Sequence, residues 1–85
     1  MRKILLVIDM QNDFINGALG TSEAEAIVGR VAEEIRKYPT ENVIATRDTH
    51  TEDYLNTQEG RKLPVVHCVR GTPGWKLHPE IAAAL

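Results

Sequence analysis

Residues 3–8 read KILLVI, an unbroken apolar run after its first residue. Strict alternation would mark a half-exposed strand, so this run predicts a central strand of a parallel sheet, covered on both faces. Asn12, Asp13, Asn16, Gly17 and Gly20 then supply turn chemistry. Ser22 and Glu25 have the spacing of a capping box, and Ala24, Ile27, Val28, Val31, Ile35 and Tyr38 recur at helical steps beyond it. The pattern predicts an amphipathic helix packed on the sheet, with Arg36 and Lys37 at its carboxyl end and Pro39 stopping it. A second short strand is expected at 43–46, a polar segment at 51–62, a third strand around 64–67 and a turn at 71–74. Pro79 suits the first position of a last helix running through Ala84.

This order defines an α/β fold, a three-layer doubly wound parallel sheet with right-handed crossovers. Eighty-five residues allow at most one small domain. Three strands and two helices do not cover both faces of such a sheet, so further layers are expected from more chain or another subunit. Ligands in these folds sit beyond the carboxyl ends of the strands where strand order reverses, which requires strands on the far side of the first. The last helix has no cap before Leu85, and the chain is expected to end in mid-structure.

Composition changes this picture little. With 42% hydrophobic and 26% charged residues and a formal charge of −2, the chain has the make-up of a soluble globular protein without a basic nucleic-acid footprint. The apolar stretch 4–8 is far short of the roughly 20 residues that span a bilayer. Met1, Arg2 and Lys3 are basic, but no signal-peptide apolar region or cleavage site follows. The single cysteine, Cys68, allows no internal disulfide and fits a reducing compartment, so a cytoplasmic protein is expected.

The expected strands end in Asp9, in Asp48 and His50, and in His67. Parallel strands bring these ends to one edge, where the side chains can converge. Asp48-x-His50 alone is weak, since polar residues after a strand are more often loop caps than ligands. Adding His67 gives two imidazoles and a carboxylate, the ligand set of catalytic zinc and non-haem iron sites. Glu59 is either a fourth ligand from the loop or a solvated carboxylate, and Asp9 either caps the next turn or does acid–base work. Cys68 neighbours His67, but adjacent residues of an extended strand point to opposite faces, which favours a structural cysteine. His78 suits a capping role, Trp75 core filling, and Phe14 either core or cleft edge.

LLVIDMQNDF at 5–14, GAL at 17–19, ATRDTH at 45–50 and LPVVHCVRGTPG at 63–74 together resemble the nicotinamidase-like branch of the isochorismatase superfamily of cysteine hydrolases. The resemblance covers nearly the whole chain, as residues 1–85 of the amino-terminal half of one hydrolase domain. It implies a six-stranded parallel sheet and an aspartate, lysine and cysteine triad, in which Asp9 falls on the aspartate that deprotonates the thiol. The lysine and cysteine lie beyond Leu85 in relatives, and neither Lys76 nor Cys68 matches them. Asp48, His50 and His67 fall on the metal ligands and Glu59 on a loop glutamate that some members use. The implied cofactor is a divalent transition metal, zinc first, with iron or manganese in some relatives. Phe14 and Leu19 match positions lining the substrate pocket, whereas Pro64 stands where relatives often place an aromatic wall.

The implied activity is metal-dependent hydrolysis of a small-molecule amide, nicotinamide to nicotinate and ammonia through a cysteine thioester. It requires the missing carboxyl-terminal half or a second chain, and a homo-oligomer is expected. The alternatives are a relative acting on a carbamoyl compound or a vinyl ether, and a non-catalytic fragment that oligomerises through its exposed sheet.

Overall fold

The computed structural model describes residues 2–85. Strand β1 (Leu5–Val7) pairs in parallel with β2 (Val43–Ala45), in the register Leu5↔Val43, Leu6↔Ile44 and Val7↔Ala45. The Thr46 N–H extends the ladder to the Val7 carbonyl at 2.9 Å. A short helix, α1 (Asn12–Ile15), follows β1, and the long helix α2 (Ser22–Arg36) makes the crossover to β2. Helices α3 (Gln58–Lys62) and α4 (Pro79–Ala84) complete the regular elements, with 3₁₀ turns at Thr40–Asn42, Tyr54–Asn56 and Pro73–Trp75.

Val28, Ala32 and Ile35 of α2 form the core with Val7, Ile15 and Ile81, and Leu5, Val43, Ala45 and Ala84 pack around them. Both long contacts are therefore made on one face of the sheet, by α2 and α4. Ile4, Leu6, Ile8 and Ile44 belong to the other face and remain 52%, 57%, 65% and 49% exposed. The apolar run of β1 is that of a strand covered twice, but the described residues cover it once. A cavity of about 210 Å³, lined by residues 5–8 with Met10, Val31 and Glu34, lies along β1 beneath α2.

Three local expectations need correction. Helix α2 is capped by Thr21, whose hydroxyl accepts the Ala24 N–H at 3.0 Å, one residue before the expected Ser22. Glu25 is then one position too late for a capping box. The segment 51–62 is not merely polar loop, because Thr57 caps α3 by accepting the Gly60 N–H at 3.0 Å. The third strand at 64–67 does not form. Pro64 has no N–H to give, and the Val65 N–H turns back to the Leu63 carbonyl at 2.8 Å. Pairing is deferred to a single parallel bridge, His50↔Val69, made by His50 N–H to Cys68 and Arg70 N–H to His50, each at 2.9 Å.

No helix among the described residues is long and apolar enough to cross a membrane.

Candidate metal centre

Downstream of β2 the chain runs extended through Asp48 to His50, and the bridge to Val69 carries His67 alongside. Ligand-type atoms of Asp48, His50 and His67 lie within 4.8 Å of one another. The hub is Asp48 Oδ2, 2.9 Å from His50 Nε2 and 3.6 Å from His67 Nε2. His67 is buried, and its Nδ1 lies 2.7 Å from the Val65 carbonyl. A carbonyl only accepts, so Nδ1 carries the hydrogen, and the Nε2 of the neutral ring presents a lone pair to the Asp48 carboxylate.

A cation held by both atoms would satisfy the two lone pairs. Histidines bound to metals characteristically give their other N–H to a carbonyl or carboxylate, as His67 does here. The donor set and the imposed tautomer therefore fit a divalent transition ion. Glu59 stands outside the cluster, its carboxylate exposed and 3.5 Å from His50 Nδ1.

Aromatic rings close around the histidines. Tyr54 meets His50 and His67 edge-on at centroid distances of 4.6 and 5.0 Å, and Phe14 meets His67 at 5.5 Å. Tyr54 is completely buried and donates its hydroxyl to the Leu63 carbonyl at 2.8 Å. Burial pushes its phenol up, and the charges of Glu59 and Asp48 add to the effect. Sequence reasoning passed over Tyr54, which sits in a segment without periodicity. Its one signal was an aromatic residue four positions after a candidate ligand.

Asp9 closes β1 with a positive φ of 52°. Its N–H donates to Thr46 Oγ1 at 3.1 Å, and the Thr46 hydroxyl donates to Asp9 Oδ1 at 2.7 Å. Its carboxylate is thus held by a side chain of the neighbouring strand's extension, apart from the clustered donors. Leu19 is half-buried after α1, with its N–H on the Asp13 carbonyl at 2.8 Å.

The alternation argument for Cys68 fails in its premise, because Cys68 has a φ of 50° rather than an extended backbone. Its conclusion stands on other grounds, since the residue is fully buried. Burial first, then Asp13, Asp48 and Asp9, push its thiol up to about 12. Trp75 does not fill core. It is half-buried, donates its indole N–H to Thr49 Oγ1 at 2.8 Å and lies 4.0 Å under the Arg47 guanidinium. His78 caps α4, its Nδ1 accepting the Glu80 N–H at 3.1 Å.

Asn12 and Asp13 carry turn chemistry in the sequence, but in the structure they and Gln11 do more than turn the chain. Gln11, fully buried, accepts the Asp48 N–H at 2.9 Å and donates to the carbonyls of Asp48 and Trp75 at 2.9 and 2.7 Å. Asp13 Oδ2 accepts the Cys68 N–H at 2.8 Å.

The isochorismatase domain matches residues 3–84, and the chain belongs to that family. Among its relatives is the nicotinamidase/pyrazinamidase of Mycobacterium tuberculosis, 32% identical over 93% of this chain and 45% of the relative. The structure of the pyrazinamidase of Pyrococcus horikoshii in complex with zinc superimposes with a TM-score of 0.73 at 40% identity, over 88% of this chain and 44% of that one. The N-carbamoylsarcosine amidase of Thermoplasma acidophilum gives a TM-score of 0.76 at 30% identity, over 95% and 46%. The chain therefore spans less than half the length of the relatives it matches.

Proposed function

We propose that this chain supplies the metal centre and the general base of a nicotinamidase-like amide hydrolase, as the amino-terminal half of one catalytic domain. The observation that carries this reading is the convergence of Asp48, His50 and His67 around one carboxylate oxygen. It is supported by relatives named for amide hydrolysis, one of them in complex with zinc. The nucleophilic cysteine and its lysine come from the part of the domain outside these residues, as a second chain or a continuation.

Asp48, His50 and His67 hold the ion, zinc by preference, with Glu59 beside them. When bound, it supplies a Lewis-acid position that orients a substrate nitrogen. His67 offers Nε2 because Val65 occupies its Nδ1 hydrogen. Phe14 and Tyr54 keep water from the buried side of the centre, and Tyr54 stays a neutral phenol at physiological pH. Asp9 Oδ1 is taken by the Thr46 hydroxyl, which leaves Oδ2 to accept the thiol proton. The thiolate then attacks the amide carbonyl, ammonia leaves with a proton, and water hydrolyses the thioester to the acid and the free thiol. A thiol nucleophile works in a reducing compartment, and a cytoplasmic site is part of this proposal.

The test is ammonia release from nicotinamide and pyrazinamide by this chain coexpressed with the carboxyl-terminal half of a relative. Activity that disappears in Asp9→Asn supports the reading, and a folded complex that binds metal and hydrolyses neither amide overturns its nicotinamidase part.

The similarity to N-carbamoylsarcosine amidase and the exposed Pro64 favour one second reading, a carbamoyl substrate on the same machinery. N-carbamoyl amino acids in the same assay distinguish the two.

A further inference from the structure

We infer that Gln11 and Asp13 are positioning residues for the Asp48–His50–His67 centre, acting through the backbone of the ligand segments and touching no ligand atom. The inference rests on the metal reading above.

Gln11 grips a single ligand residue from both sides. Its Oε1 accepts the Asp48 N–H and its Nε2 donates to the Asp48 carbonyl, both at 2.9 Å. Holding the N–H and the C=O of one residue restrains both of its backbone torsions, and hence the direction in which its carboxylate leaves the chain. The remaining Nε2 hydrogen goes to the Trp75 carbonyl at 2.7 Å, so the buried carboxamide is fully used. Only an amide matches this pattern. A glutamate at position 11 would turn lone pairs on the Asp48 and Trp75 carbonyls.

Asp13 does the corresponding work behind His67. Its Oδ2 accepts the N–H of Cys68, the residue next to the ligand, at 2.8 Å. Cys68 has a φ of 50°, a left-handed conformation that is strained for an L-residue and persists only where its surroundings impose it. The His67 ring, next along the chain, lies with its Nδ1 2.7 Å from the Val65 carbonyl. The space for the Asp13 carboxylate is provided by two glycines, since a Cβ at Gly17 or Gly74 would fall on it. Between the two, Asn12 ties the same strip to Pro73 through Nδ2 at 2.9 Å and to Lys76 through its N–H at 3.0 Å. One tripeptide thus sets the spacing of two ligand segments that are separated along the chain.

A packing role would lower stability alone, whereas a positioning role weakens metal binding beyond the loss of stability. The experiment is cobalt(II) titration of the 85-residue chain, followed by its visible absorption, for wild type, Gln11→Glu, Asp13→Ala and Asp13→Asn. Ile81→Val, remote from the strip, serves as a destabilised control, and far-UV circular dichroism restricts the comparison to folded protein. Gln11→Glu and Asp13→Ala are expected to bind about tenfold or more weakly with altered bands, the loss typical of partners behind metal ligands. Asp13→Asn keeps an oxygen for the Cys68 N–H and is expected to restore most of the affinity. Wild-type affinity in Gln11→Glu and Asp13→Ala, or an equal loss in Ile81→Val, overturns the inference while leaving the metal reading intact. No binding by the wild type overturns the metal reading itself.

Discussion

Cys68 stands beside a ligand histidine and is nevertheless a poor nucleophile. It is fully buried, and its thiol is pushed up to about 12. Native protein is expected to resist iodoacetamide at pH 8, with alkylation appearing only on denaturation and the Cys68→Ala chain still binding metal. Rapid native alkylation would show an activated thiol. The folded thiol titrates above its unfolded value of about 8.5, so its stabilising contribution is complete below that pH and is lost as pH rises toward 12. Urea midpoints measured from pH 7 to 11 should fall with pH, and Cys68→Ala should flatten that decline. The convergence of Asp48, His50 and His67 was legible at this scale because the expected strands run to one edge, although a single bridge, His50↔Val69, stands in for the third strand. Tyr54 and the grip of Gln11 were not, since both depend on contacts between segments distant in sequence and neither follows a periodic pattern.

At the level of elements, α2 and α4 were readable from apolar spacing and proline, and both sit where the pattern places them. The cap was misplaced by one residue, because Thr21 and Ser22 offer the same chemistry and only the backbone chooses between them. Thr21→Ala removes the bond to the Ala24 N–H and is expected to destabilise the fold by about 1 kcal/mol, whereas Ser22→Ala should change little. Denaturant titration of the two variants checks the order, and an equal loss would restore the capping box. The third strand failed because composition and pairing are separate requirements. Residues 64–67 have strand-like apolar content, yet Pro64 and the Val65 turn withhold the donors that a ladder needs.

At the scale of the whole molecule, the described residues pack the sheet on one side only. Leu6 and Ile44 are register partners, both largely exposed on the face away from α2 and α4, with Ile4 and Ile8 extending the apolar strip. An apolar strip of this kind suits burial against a further layer. Leu6→Lys with Ile44→Lys is expected to leave the helical signal of the chain intact, improve its solubility and abolish assembly with a carboxyl-terminal half. Size-exclusion chromatography of the mixed halves reads this directly, and undiminished assembly would place the partner elsewhere. The β1 run forecast this face as one that needs cover, and the sequence named the family; neither identified the side that α2 would occupy.

The central claim is that Asp48, His50 and His67 form one metal site, and equilibrium dialysis of the chain against zinc tests it most directly. One ion per chain is expected, with saturable binding lost in His50→Ala and in His67→Ala while Cys68→Ala binds as wild type. Binding that survives both histidine substitutions, or the absence of saturable binding in the wild type, would contradict it.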